Sequence, residues 1–301
     1  MDFKEYTNLS EALEGPDEVY KINLGNNQLA ELPSEIQKLT NLRWLVLDQN
    51  NLTQLPAWIG ELTNLERLDL GNNQLVELPS EIKNLTNLKW LVLDQNNLAQ
   101  LPEWIGELTN LERLDLGDNQ LAELPSEIQK LTNLKELHLN SNQLAELPSE
   151  IGELTNLETL DLGDNQLAEL PSEIQKLTNL KRLDLFNNRL AELPSEIGEL
   201  TNLEILSLNS NQLAELPLDI ENLKNLQILS LTSNQLTELP DEIIALDSLE
   251  KFYLSDNQLT ELPIKIGELK SLKMISLSGN QFSSVELEII IKLLHRFEVS
   301  L

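Results

Sequence analysis

The chain contains no cysteine, only two histidines in 301 residues and just 4% aromatic residues. Without cysteine there is no disulfide framework, no zinc finger and no thiol nucleophile. No stretch approaches the 18 consecutive apolar residues of a membrane-spanning helix. The opening Met1-Asp2-Phe3-Lys4-Glu5-Tyr6 lacks the basic and then apolar run of a signal peptide. These residues assign no compartment: a cytoplasmic chain and a secreted one whose leader has been removed both fit them. Basic side chains are scarce as well, with 21 Lys+Arg against 50 Asp+Glu and a formal charge of −29. That balance argues against nucleic acid, whose phosphates need Lys and Arg to displace counterions, and against an anionic membrane surface. The hydrophobic share of 41% is nonetheless that of a globular chain rather than a disordered one.

What the sequence does have is a repeat. Twelve asparagines, Asn27, Asn50, Asn73, Asn96, Asn119, Asn142, Asn165, Asn188, Asn211, Asn234, Asn257 and Asn280, recur every 23 residues without a slip. Eleven prolines from Pro33 to Pro263 keep the same register, each six residues after its asparagine. A representative unit is Leu65-Glu-Arg-Leu68-Asp-Leu70-Gly-Asn-Asn73-Gln-Leu75-Val-Glu-Leu78-Pro79-Ser-Glu-Ile82-Lys-Asn-Leu85, or LxxLxLxxNxLxxLPxxIxxLxx. Leu68-Asp69-Leu70 alternates with period two and predicts a short strand with one face inward. The asparagine stands where the chain turns away, so its amide is placed to satisfy backbone groups that turning leaves unpaired. Leu75, Leu78, Ile82 and Leu85 predict a return segment with an apolar side. Pro79 fixes φ, so that segment starts extended, and Ser80-Glu81-Ile82 predicts a 3₁₀ turn or a single helical turn.

No single unit can bury its leucines, so neighbours must stack around one continuous core, their strands forming a parallel sheet. In this pattern the chain resembles the leucine-rich repeat (LRR) proteins, in particular the 23-residue class with an LPxxIxxLxx half found in intracellular scaffolds and in bacterial, leptospiral-type members. The resemblance covers about residues 18 to 301. It implies an α/β repeat solenoid: a leucine-rich-repeat horseshoe of twelve repeats, with a concave parallel β-sheet and a convex side of 3₁₀ or short-helix turns. The expected organisation is a single structural domain: an N-terminal helical cap at 1–17, the repeat array at 18–282 and a C-terminal cap at 283–301. Phe3, Tyr6, Leu9 and Leu13 have helical spacing in the first cap. Val285, Leu287, Ile289, Ile290, Ile291, Leu293 and Leu294 predict a closing helix, and Phe297–Leu301 alternates as a last strand would. The closing LLxxxxV run is similar to the endings of the bacterial members, and the cysteine-bearing caps common in extracellular animal and plant members are absent.

The strand residues flanking the central leucine pair face solvent and are the expected binding positions. In the N-terminal half, Trp44-Leu-Val46 and Trp90-Leu-Val92 alternate with Arg67-Leu-Asp69 and Arg113-Leu-Asp115. Strands two units apart lie roughly 10 Å apart, which would place Arg67 between the two indoles. Tryptophan and arginine dominate interface hot spots, and large apolar side chains have no core to fill on a solvent-facing sheet. An internal stacking ladder, or a 46-residue duplication, accounts for the same alternation. His138 extends this zone. A second apolar zone comprises Phe186, Ile205, Ile228, Tyr253 and Met274, although scattered exposed aliphatics are ordinary. Trp58 and Trp104 fall on the outer side, where packing against neighbours competes with a second contact surface or a dimer interface.

Chemistry is little in evidence. Asp115, His138, Asp161 and Asp184 put oxygen and nitrogen donors on consecutive strands, but a solvated ion-pair ladder accounts for them, and neither a metal nor a cofactor is expected. No catalytic constellation and no phosphate-binding glycine loop appear. The reading is a non-enzymatic protein–protein interaction module that binds a protein or peptide along the concave sheet. From the resemblance alone, the implied setting is bacterial adhesion or host contact. The recurring glutamates around each Leu-Pro pair predict an acidic outer shell and a monomer. The alternative is a structural or assembly scaffold acting through that acidic convex surface or through self-association.

Overall fold

The computed structural model describes residues 3–301, which fall into two compact units, Met1–Gln143 and Leu144–Leu301. The first unit carries the strands β1 (Glu5–Tyr6), β2 (Lys21–Asn23), β3 (Trp44–Val46), β4 (Arg67–Asp69), β5 (Trp90–Val92), β6 (Arg113–Asp115) and β7 (Glu136–His138). They pair in parallel in sequence order, and the register puts Leu45 beside Leu68 and Trp44 beside Arg67. The second unit repeats the plan with β8 (Thr159–Asp161), β9 (Arg182–Asp184), β10 (Ile205–Ser207), β11 (Ile228–Ser230), β12 (Lys251–Tyr253), β13 (Met274–Ser276) and β14 (Glu298–Ser300).

Each strand is short because only its middle residue points inward, and the chain must then turn to bring the next leucines round. The residue before each ladder asparagine takes a left-handed conformation, φ 51–57° from Asn26 and Gln49 through Asp256. Those positions hold Asn, Gln, Asp or Ser, small or amide side chains that tolerate a conformation costing about 1 kcal/mol or more. The asparagine that follows offsets this cost. Asn73 Nδ2 donates to the Leu70 carbonyl of its own turn and to the Leu47 carbonyl of the preceding repeat, both at 3.0 Å, and its Oδ1 accepts from Leu52 N at 3.0 Å. In the second unit Asn211 does the same with Leu208, Leu185 and Leu190. Pro79 leads into the 3₁₀ turn Ser80–Asn84, and nearly every other repeat has an equivalent turn.

The core consists of stacked leucines and isoleucines. Leu65, Leu68, Leu70, Leu75, Ile82 and Leu85 are fully buried, and the same positions are buried in the inner repeats, while Leu29 and Phe282 at the Leu75 position of the end repeats are half-buried. Each such side chain contributes about 1.5–3 kcal/mol relative to exposure, so neighbouring repeats are held together chiefly by this apolar contact. Glycines at alternate return turns allow close stacking: a Cβ on Gly60 would lie 2.4 Å from the Glu81 carbonyl oxygen of the next repeat.

The ends differ in part from what helical spacing alone predicts. In the expected cap at 1–17, residues 1 and 2 lie outside the described residues. Of the rest, Glu5–Tyr6 pairs with Lys21–Ile22 as a strand, leaving a helix α1 of only four residues, Leu9–Ala12. The exposed edge of β2 supplies backbone partners that a helix across Tyr6 would leave unmet, and Asn8 starts α1 by accepting from Ser10 N and Glu11 N. The other end carries α2, Ser284–Leu293, capped by Ser283 Oγ accepting from Glu286 N, and β14 paired to β13. Among the described residues no helix is long and apolar enough to cross a membrane.

Candidate functional site

The leucines at the centre of each strand point into the core, so the residues on either side of them must point out onto the open face of the sheet. In the first unit this places Trp44, Val46, Arg67, Trp90, Val92, Arg113 and His138 on one surface. All are half-buried except Trp90, which is 37% exposed.

The indoles of Trp44 and Trp90 touch each other directly, centroids 5.8 Å apart and planes tilted by 52°. Arg67 therefore does not lie between them, as strand spacing alone would predict. Each indole reaches across the intervening strand, and the Arg67 guanidinium lies against both, 5.9 Å from Trp44 and 5.5 Å from Trp90. Lys21 caps the far side of this group, its Nζ 3.7 Å from the Trp44 ring. Such contacts contribute about 0.5–1 kcal/mol each at exposed positions.

The arginines are tied down on their own strands. Arg67 Nη2 reaches Asp69 Oδ2 at 2.7 Å, and Arg113 Nη2 reaches Asp115 Oδ2 at 2.8 Å. Arg113 Nη1 also holds Glu136 at 2.6 Å. Burial works against the charge on Arg113, but the hydrogen bond and charge of Asp115, with the charge of Glu136, outweigh it and raise its pKa. The Nε2 of His138 lies 3.6 Å from Glu136 Oε2. Asp115 is thus engaged by a guanidinium, and Asp184 in the second unit pairs in the same way with Arg182.

Beside Trp90 the face sinks into a depression of about 500 Å³, walled by Trp90, Val92, Arg67 and Arg113 with the carboxylates of Asp115 and Glu136. Its remaining wall is Asp94, a residue outside the two strand columns that sequence reading singles out. Asp94 sits two residues past the strand's outward valine, and its side chain folds over Gly71: a Cβ there would lie 2.5 Å from Asp94 Oδ1. Burial, followed by the charges of Asp115 and Asp69, raises the Asp94 pKa above the ordinary carboxylate value, and a hydrogen bond from Gln95 works the other way. The signal that would have found it is the alternation Gly25, Asp48, Gly71, Asp94, Gly117 at this register, glycine making room for the next repeat's side chain.

The second unit's face is plainer. Ile205 and Ile228 are register partners and half-buried; Tyr253 and Met274 are half-buried too, but pair in register with Ser276 and Lys251. Phe186 lies past the end of β9 and packs its ring over Gly163, to one side of those residues. On the return side, Trp58 and Trp104 are half-buried, and each borders a shallow depression shared with the preceding repeat, Trp58 with Leu32 and Trp104 with Lys83 and Thr86.

A family model described as "Leucine-rich repeat region" matches residues 22–142, 81–162, 125–212 and 196–296. Among solved structures, an LRR protein of Leptospira interrogans is 34% identical, with 99% of this chain and 100% of that one covered and a TM-score of 0.66. An internalin of Listeria monocytogenes is 25% identical over 95% of this chain and 88% of its own, TM-score 0.74. The LRR ectodomain of an Arabidopsis thaliana membrane receptor kinase, solved in complex with Casparian strip integrity factor 2, is 31% identical. Its match covers 98% of this chain but 42% of the ectodomain, TM-score 0.61. No curated protein sequence matches significantly. The 23-residue period, its asparagine ladder and these matches agree: the chain belongs to the leucine-rich repeat family.

Proposed function

We propose that the chain is a non-enzymatic interaction module that binds a protein or peptide through the open face of its sheet, with the first unit as the principal contact. The observation that carries this reading is the group of Trp90, Arg67 and Arg113 at the rim of a depression, with Trp44 against Trp90, on a face where large side chains have no core to fill. The side chains are pre-organised by one another, which lowers the ordering cost of binding. An open sheet with only a shallow depression suits an extended partner better than a small molecule. The likeness to a receptor ectodomain solved with its ligand supports the binding role. The likeness to the leptospiral protein and the internalin supports a bacterial setting, with adhesion or host contact as the narrower reading.

The test is capture from host and bacterial lysates with wild type and with a Trp44→Ala, Trp90→Ala variant of verified fold. A partner retained only by wild type is the expected result. A partner held equally by both proteins would move the function to the acidic return side and to Trp58 and Trp104, in line with an assembly role.

A further inference from the structure

We propose that the depression beside Trp90 receives one basic side chain, a lysine or arginine of an extended partner segment, with the Asp94 carboxylate as its counter-ion and the Trp90 indole as its wall. The proposal rests on the reading of the open face as the binding surface and names the chemistry that face selects.

Charge complementarity carries the argument. Arg67 is committed to Asp69, and Arg113 to both Asp115 and Glu136. Among the described residues no ion pair holds Asp94; its carboxylate accepts from the Gln95 amide, Nε2 donating to Oδ2 at 3.0 Å, and from its own backbone amide. Two guanidiniums therefore face four carboxylates, and the one with no guanidinium against it, Asp94, is half-buried at the depression's edge, where a negative charge is poorly solvated. Burial first, and then the charges of Asp115 and Asp69, raise the Asp94 pKa. An anionic ligand would find both arginines already neutralised.

The molecule also supplies an internal precedent. Trp44-Leu-Val46-Leu-Asp48-Gln49-Asn50 and Trp90-Leu-Val92-Leu-Asp94-Gln95-Asn96 are the same heptapeptide, 46 residues apart. In the first copy an ammonium already lies on the indole, Lys21 Nζ at 3.7 Å from Trp44. In the second copy the residue equivalent to Lys21 is Arg67, which is held by Asp69 and stands 5.5 Å from Trp90. Trp90 is correspondingly left 37% exposed. An incoming basic side chain would do at Trp90 what Lys21 does at Trp44, its aliphatic stem lying along the indole and Val92.

The probe is the peptide acetyl-Gly-Gly-Lys-Gly-Gly-amide, titrated into the whole chain with indole nitrogens labelled with ¹⁵N, beside peptides carrying norleucine or glutamate in place of lysine. The expected result is a saturable shift of the Trp90 indole signal with the lysine peptide alone. Asp94→Asn, which keeps an acceptor for Gln95, is expected to weaken binding at least tenfold. Glu123→Gln makes the same charge change on an exposed return segment and is expected to alter binding less than twofold. Equal weakening by both variants would reduce the effect to general attraction by an acidic chain and overturn the proposal, as would an equal shift with norleucine or a still Trp90 signal. The broader reading fails separately. A captured partner lost with Trp44→Ala plus Trp90→Ala but bound normally by Asp94→Asn would keep the binding face and remove the cation site.

Discussion

Outward strand positions in the first unit carry Trp44, Arg67, Trp90 and Arg113, whereas the matching positions in the second carry Thr159, Arg182, Ile205 and Ile228. Behind these faces the two units use the same parts: the same buried leucines, asparagine bonds and return turns. The framework tolerates this contrast because each outward residue is flanked by inward ones that do the packing, so the open face can change without disturbing the core. The first unit has put large, mutually supporting aromatic and charged groups there, whereas the second has no tryptophan there and keeps the single Arg182–Asp184 pair beside aliphatic, hydroxyl and other side chains. Such a division between constant support and variable display is what makes the first unit the better candidate for binding.

The comparison can be broken at the framework first. Asn119→Ala in the first unit removes the donor to Leu93 and Leu116 carbonyls and the acceptor for Leu98 N, all buried. It is expected to cost about 2–4 kcal/mol, and Asn211→Ala in the second unit about the same. Denaturant unfolding of both variants measures this, and a large cost in one unit only would mean the frameworks are not equivalent. Next come Gly60→Ala and Gly198→Ala, each driving a Cβ to 2.4 and 2.6 Å from a carbonyl oxygen of the next repeat. Each is expected to cost about 1–3 kcal/mol, because backbone cannot yield as a side-chain tip can.

A smaller effect separates the faces. Because folding raises the Asp94 pKa, the stability from its protonated form is fully present below the ordinary carboxylate value and is lost as pH rises through the folded one. At neutral pH the ionised group opposes folding, so Asp94→Asn is expected to raise Tm by about 1 °C. That gain should shrink as pH is lowered through the folded pKa toward the ordinary carboxylate value; a pH-independent gain would point to packing instead of charge. The smallest effect belongs to the exposed ladder formed by Arg43, Glu66 and Lys89, at 2.9 and 3.3 Å. Lys89→Ala is expected to change stability by less than about 0.5 kcal/mol, measured in the same unfolding experiment.

Fold was legible in the sequence to an unusual degree because a 23-residue interval fixes strand, turn and return segment together, and the asparagine's role follows from where the backbone must turn. Ladders on the outside were less visible. Asn64, Asn87 and Asn110 each donate to the carbonyl of a threonine in the preceding repeat, at 2.8–2.9 Å, yet Thr-Asn reads locally only as a turn. Alternating Glu66 and Lys89 is an interaction between residues 23 apart, which a pattern search along one helix or strand does not look for. At the candidate site, the strand columns led to Trp44, Arg67 and Trp90 but not to their mutual arrangement, since strand spacing does not include the reach of an indole. Asp94 was missed because it lies beyond the strand, and its position is recorded only indirectly, by the glycine it covers.

The central claim is that binding resides on the first unit's open face. It is tested most directly by titrating the captured partner against wild type, Trp44→Ala plus Trp90→Ala, Ile205→Ala plus Ile228→Ala, and Trp58→Ala plus Trp104→Ala, each checked for fold. The account predicts a loss of about 30-fold or more for the first pair, about 2 kcal/mol, and less than threefold for the other two. An equal or larger loss from Ile205 and Ile228, or from Trp58 and Trp104, would contradict it.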